Sequence, residues 1–167
     1  MAKPRWLSDD EQQTWRVFVQ ATQLLFDQLE DELDQQTDVP SAYYEVLASL
    51  AEAPQRRRRM SELAERSRSS RSRLSHSLAR LESAGWIRRE PCNTDRRGAF
   101  AVLTRNGLAA LQAAAPVHVE GARAHFFDLL NAEQLLQLRA ISEQLLEHLI
   151  NVRGASPDKL GLTHRSS

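Results

Sequence analysis

Arginine dominates the centre of this chain. From Arg56 to Arg105 there are fourteen arginines, no lysine and five acids, namely Glu62, Glu65, Glu82, Glu90 and Asp95. The whole chain carries 22 basic and 22 acidic residues, so its zero formal charge conceals an acidic frame around a strongly basic segment. A guanidinium bonds phosphate oxygens or base edges in a planar, bidentate manner, and each phosphate it neutralises releases a condensed counterion. Charge segregation of this kind points to a polyanion at the centre of the molecule. Taken alone, the run Arg56–Arg59 reads as a solvated charged face.

The finer spacing narrows the chemistry. Leu74, Leu78 and Leu81 recur at helical spacing, which turns Ser72, Arg73, His76 and Arg80 to the opposite side. A helix with leucines inward and Ser, Arg and His outward suits a DNA major groove, where Arg bonds guanine O6 and N7 and shorter side chains reach phosphates or base edges. Ser69, Ser70 and Arg71 lie at its N-terminus, where free N–H groups and the positive dipole end favour phosphate. Further on, Asp95-Arg96-Arg97-Gly98 has the pattern of a hairpin tip. Arg97 suits a narrow minor groove, Asp95 can orient its guanidinium, and Gly98 allows a tight return. No nucleophile elbow, P-loop, dinucleotide fingerprint or paired catalytic carboxylates occurs in the sequence. Ser75 and His76 are consecutive on a helix and face different ways, so no enzyme and no cofactor is expected.

These side chains need elements to hold them. Ser8 with Glu11 is a capping-box signature for a long helix bearing Trp15, Phe18, Ala21, Leu25 and Leu29 on one face. Ser41 is expected to cap a short helix through Tyr44, Val46, Leu47 and Leu50 that ends near Ala53-Pro54. A second short helix spans Ser61 to Arg66, and the leucine helix follows, with Gly85 as its stop. The period then becomes extended in Trp86–Glu90 and Ala99–Leu103, two strands of a β-hairpin. Thr104 caps a helix interrupted at Pro116 and resuming to about Leu130, and Asn131 starts a last helix with Leu138, Ile141, Leu145 and Leu149 in a stripe. The order of short helix, turn, helix and hairpin makes a winged helix-turn-helix, mainly α with a small β-hairpin wing.

The remaining composition sets the class. With 167 residues and 41% hydrophobic content the chain can build one core, as a single domain with extensions. A lone cysteine, Cys92, allows no intramolecular disulfide, and no apolar run approaches the roughly 20 residues that span a bilayer. The N-terminus lacks the apolar stretch of a signal peptide, so a soluble cytoplasmic protein with no membrane partner is expected.

Together, Arg59-Met60-Ser61-Glu62-Leu63-Ala64, Ser70-Arg71-Ser72 through Arg80-Leu81-Glu82, Gly85-Trp86-Ile87-Arg88-Arg89-Glu90, Asp95-Arg96-Arg97-Gly98 and Leu103-Thr104 with Gly107 resemble the MarR family of transcription regulators. The match is dense from residue 41 to 112, and the flanking helices fit the family to about residue 150. The resemblance implies a homodimer of intertwined terminal helices whose two winged domains bind a pseudo-palindrome in double-stranded DNA. Ser70 through Arg80 then fall on the recognition helix, with Asp95 and Arg97 at the wing tip. One departure stands out, since family members usually carry apolar residues near Ser67 and Ser69. Independently, the terminal helices are more apolar than a thin cover for a winged domain requires. Two reading helices about 34 Å apart also need two protomers on a C₂ axis. The expected division is a dimerisation helix in 1–40, the DNA-binding domain in 41–112, C-terminal dimerisation helices in 113–151 and a disordered tail in 152–167.

Two modes of control are compatible with the residues of a regulator, most simply a repressor. Cys92 has Arg88, Arg89, Arg96 and Arg97 nearby in sequence, which would favour a thiolate, so oxidation could shift the wing; a plain strand cysteine is the alternative. The other mode, suggested by the resemblance, is a small aromatic or phenolic effector between the dimer helices and the winged domain. Trp15, Arg16, Tyr43, Tyr44, His118 and Phe126 are its candidate lining. The histidines are too sparse for a metal site. A nonspecific architectural DNA binder is the competing function, separable by the salt dependence of its site preference.

Overall fold

The computed structural model describes residues 4–66, 71–92 and 98–154, with backbone alone at 65–66 and 71–73. Helix α1 (Asp9–Gln36) starts at the expected capping box: the Glu11 amide donates to Ser8 Oγ at 3.2 Å and the Ser8 amide to Glu11 Oε2 at 2.7 Å. Only Leu29 and Leu33, in its C-terminal half, are buried. Helix α2 (Ser41–Ala51) departs from expectation at its start. Pro40 occupies the N-cap and Ser41 makes no cap; its amide instead donates to Asp34 Oδ1 at 2.6 Å, so a carboxylate of α1 does the capping from outside the helix.

The run Arg56–Arg59 keeps Arg56 and Arg57 exposed, as a solvated face requires, but it has a regular conformation that its composition does not announce. Arg57–Arg59 is a strand, β1, entered through a turn in which Gln55 and Arg56 have φ of 55° and 53°. Helices α3 (Met60–Arg66) and α4 (Arg71–Ser83) follow, then β2 (Ile87–Pro91) and β3 (Ala99–Leu103). All three strands are antiparallel in the order β1-β3-β2, with Arg58 and Arg89 both opposite Ala101. A run of arginines has no apolar alternation to announce a strand; pairing with β3 imposes it.

Gly85 ends α4 with φ of 72°. Its amide donates to the Glu82 carbonyl and that of Trp86 to the Leu81 carbonyl, a Schellman closure that only a left-handed residue completes easily. Thr104 caps α5 (Arg105–His125), accepting from the Gly107 amide at 3.0 Å while its hydroxyl donates to the Gly85 carbonyl at 2.7 Å. One side chain thus ties the wing's exit to the end of the leucine helix.

The expected interruption at Pro116 does not occur, because α5 runs through it unbroken. Pro116 and Gln112 are both exposed, so the carbonyl that loses its amide donor can be hydrated. This helix also crosses the expected 112/113 boundary. Asn131 opens α6 (Ala132–Arg153) with a capping box to Gln134, as its sequence suggests.

The core lies between α2, α4 and the sheet, where Leu47, Leu50, Leu78, Leu81 and Ile87 are fully buried. Leu63 of α3, Leu33 of α1, and Leu111 and Ala114 of α5 extend it. Helix α6 buries no residue within the protomer.

Candidate nucleic-acid interface

Helix α4 holds its expected inward face: Leu74, Leu78 and Leu81 are buried, whereas His76 and Arg80 are exposed. Arg71, Ser72 and Arg73 lie on its first turn by backbone position. Ser69, Ser70, Asp95, Arg96 and Arg97 lie outside the described residues, as do Ser67, Asn93 and Thr94. The exposed side of α4 is held in place from the wing by Arg89, whose Nε lies 3.0 Å from Glu82 Oε2. That ion pair links the leucine helix to β2 at the surface, with the two side chains 42% and 41% exposed.

Sequence reasoning missed the outward face of the sheet. The guanidinium carbons of Arg57 and Arg59 sit 4.8 and 5.5 Å from the centroid of the Phe100 ring, a cation–π arrangement on exposed surface. Glu90 lies between two of the arginines, 3.8 Å from Arg57 and accepting from Arg88 Nε at 3.1 Å. Arg58 turns the other way, and its Nε donates to the Ser49 carbonyl at 2.8 Å. The alternation of β1 is the signal that would have separated these roles, but it becomes visible only once β1 is known to be a strand.

Cys92 is buried at 6% exposure, directly after β2, and its amide donates to the Gly98 carbonyl at 3.0 Å to close the hairpin base. The described arginines near it in sequence, Arg88 and Arg89, direct their guanidiniums to Glu90 and Glu82.

The six residues suggested for an effector site are only partly brought together. Tyr44 and His118 form a tilted ring pair with centroids 4.7 Å apart, and Tyr43 is half-buried against the same core. Burial holds the His118 imidazole below the usual histidine range, with the Glu45 carboxylate pulling it up, and burial pushes the Tyr44 phenol up. His118 Nδ1 is buried with no hydrogen-bond partner in the protomer. Within the same protomer, Trp15 is 60% exposed and contacts Phe18, Arg16 donates to Gln12, and Phe126 packs edge-on against Phe127. Among the described residues, no group of three or more His, Cys, Asp or Glu side chains could hold a metal ion, and no helix is long and apolar enough to cross a membrane.

Comparison with known proteins gives the same architecture. The family model described as MarR family matches residues 37–98, from the end of α1 to the last residue of the wing tip. A crystal structure of Sco3205, a MarR family transcriptional regulator from Streptomyces coelicolor in complex with DNA, is 46% identical. It aligns over 88% of this chain and 92% of that one with a TM-score of 0.81. AbsC, a MarR family regulator from the same organism, is 44% identical over 89% of this chain and 99% of that one, with a TM-score of 0.80. The transcriptional regulator PecS of Dickeya dadantii is 38% identical over 82 residues, a match spanning about half the length of each protein, at 49% of either. With the winged centre, the long flanking helices and nearly the whole length shared with two such regulators, this chain belongs to the MarR family of transcription regulators.

Proposed function

We propose that this protein is a homodimeric, sequence-specific DNA-binding transcription regulator that represses by occluding promoter DNA and is released by an effector signal. The observation that carries this reading is the geometry of α4. Its leucines are buried and its polar side faces outward from the most basic segment of the chain. In this reading Ser69, Ser70, Arg71, Ser72, Arg73, His76 and Arg80 address the major groove and flanking phosphates, while Asp95, Arg96 and Arg97 take the wing tip into the minor groove. The DNA complex of the 46% identical Sco3205 supports DNA as the partner.

Residues 41–112 are the reading unit, and 1–40 with 113–151 form the dimer body. Support for the dimer comes from apolar side chains that the protomer leaves uncovered. Trp15, Phe18 and Leu24 of α1, and Leu136, Ile141, Leu145, Leu149 and Val152 of α6, are all 49% exposed or more. Apolar stripes of this length on a soluble regulator call for a symmetric partner.

For control, oxidation of Cys92 to a sulfenic acid would place a polar group in the closed base of the hairpin and displace the wing. Its burial restricts this route to small oxidants. A small aromatic or phenolic anion beside Tyr44 and His118 is the second reading, favoured by the unpartnered, buried Nδ1 of His118.

The test is fluorescence anisotropy of the full chain on a duplex selected from a random-sequence library. It is run with scrambled competitor, under reducing conditions and after mild peroxide. Specific binding lost on oxidation, restored by dithiothreitol and insensitive in Cys92→Ser establishes the thiol switch. Specific binding indifferent to peroxide removes that switch and directs the search to aromatic ligands. Binding without sequence preference at moderate salt overturns the regulator in favour of an architectural protein.

A further inference from the structure

The outward face of the three-stranded sheet carries a cluster that the proposed groove contacts do not use. Strand register puts Arg57, Val102 and Arg88 in one cross-strand row and Arg59, Phe100 and Glu90 in the next row on the same side. The opposite side carries Ile87, Ala101 and Leu103, which are buried in the core. The outer face therefore presents three guanidiniums, one aromatic ring and a single carboxylate. Arg57 and Arg88 share Glu90, and their side chains remain 42% and 59% exposed. Arg57 and Arg59 both lie over Phe100, so the ring limits the freedom of two cations that would otherwise lose it on binding.

From this cluster the geometry points to a second DNA contact: the outer sheet face, through Arg57, Arg59 and Arg88, binds backbone phosphates lying beyond the bases read by α4 and the wing tip. The inference rests on the proposed DNA-binding function and extends its footprint. Charge complementarity selects a polyanion, and position selects the flanking duplex. Glu90 and Arg88 lie two and four residues before Cys92, roughly 7 and 13 Å back along the strand from the closed base of the hairpin. With the tip on DNA, that stretch of hairpin stands beside the neighbouring sugar–phosphate strand. The cluster has the character of a phosphate clamp, with no inward-facing acceptor set for base edges.

The second DNA contact has a distinct signature, because binding to phosphate changes salt dependence uniformly over sequences. Affinity is measured against salt concentration for a selected minimal duplex and for the same duplex extended by arbitrary sequence on both sides. Extension is expected to strengthen wild-type binding. Arg57→Gln and Arg88→Gln should each abolish part of that gain and reduce the slope of log affinity against log salt by about 1 for each phosphate no longer neutralised. Arg57→Lys, which keeps the charge, should retain most of the slope. Glu90→Gln frees both guanidiniums and should act in the opposite direction, tightening binding to the extended duplex and steepening the slope. A purely structural cluster would instead lower the melting temperature in all of these variants without this reversal of sign. If wild-type protein prefers its selected site but all four variants keep its slope and length dependence, the outer-face binding is overturned and the regulator reading stands. If wild-type protein selects no site, the regulator reading falls, and the outer-face binding with it.

Discussion

The leucines of α4 and those of α6 recur at the same helical spacing, yet Leu74, Leu78 and Leu81 are 4%, 1% and 0% exposed whereas Ile141, Leu145 and Leu149 are 55%, 49% and 51% exposed. Around α4, the chain supplies its own cover from α2 and the sheet. Along α6 it buries no residue. Periodicity states which face of a helix must be covered; what covers it depends on the rest of the fold. Helix α1 contains the same contrast within one element, with Leu29 and Leu33 buried against the body and Trp15 and Phe18 exposed at 60% and 51%.

The largest effect should come from breaking the covered stripe. Leu78→Ala removes a fully buried side chain and should cost about 2–5 kcal/mol, read as a lower denaturant midpoint at constant slope. Ile141→Glu with Leu145→Glu addresses the uncovered stripe. The circular dichroism spectrum should stay helical, while sedimentation should report monomers and each substitution should weaken association by about 2 kcal/mol or more. If the double variant remains a dimer, α6 is not the interface and the contrast with α4 needs another explanation.

His76→Ala alters neither stripe and should leave dimerisation intact while reducing affinity by about 1–3 kcal/mol with a changed base preference. A uniform loss across sequences would confine His76 to phosphate.

The smallest effect concerns the packing of α5 on α1, where His125 Nε2 of α5 lies 2.7 Å from Glu32 Oε1 of α1. Hydrogen bonds from Gln28 and then His125 hold the Glu32 carboxyl below its usual range. A depressed folded pKa means that this contribution to stability is present above the unfolded carboxylate value and is lost as pH falls through the lowered one. Glu32→Gln should therefore show a slightly shallower loss of stability on acidification than wild type, small because the pair is partly solvated. Equal acid profiles would show that the pair adds nothing to the packing of α1 on α5. A second readout is the packing itself. Gly121 faces Leu29 and Glu32 so closely that an added Cβ would collide with both, so Gly121→Ala should disturb the same junction at any pH.

Much of the architecture was readable from residue types alone. The capping boxes at Ser8 and Asn131, the Thr104 cap, the Gly85 stop and the boundaries of β3 are local devices, set by side chains within a few residues of the backbone groups they satisfy. The inward leucines and outward His76 and Arg80 of α4 followed from a strong 3.6-residue period. What failed was nonlocal. Ser41 yields its capping role to Asp34, seven residues back on another helix. Pro116 stays within a helix at an exposed position, where water can reach the carbonyl that loses its amide donor. Arg57–Arg59 becomes a strand because β3 lies alongside.

The sequence by itself determined the basic centre, the order of the helices and the β-hairpin, and the face that each helix must bury, since charge, caps and period depend on neighbours along the chain. Only the tertiary structure decided which stripes find cover within the protomer and which arginines gather around Phe100 and Glu90. It also decided that Cys92 sits in the closed base of the hairpin, because those outcomes depend on partners brought together from distant positions.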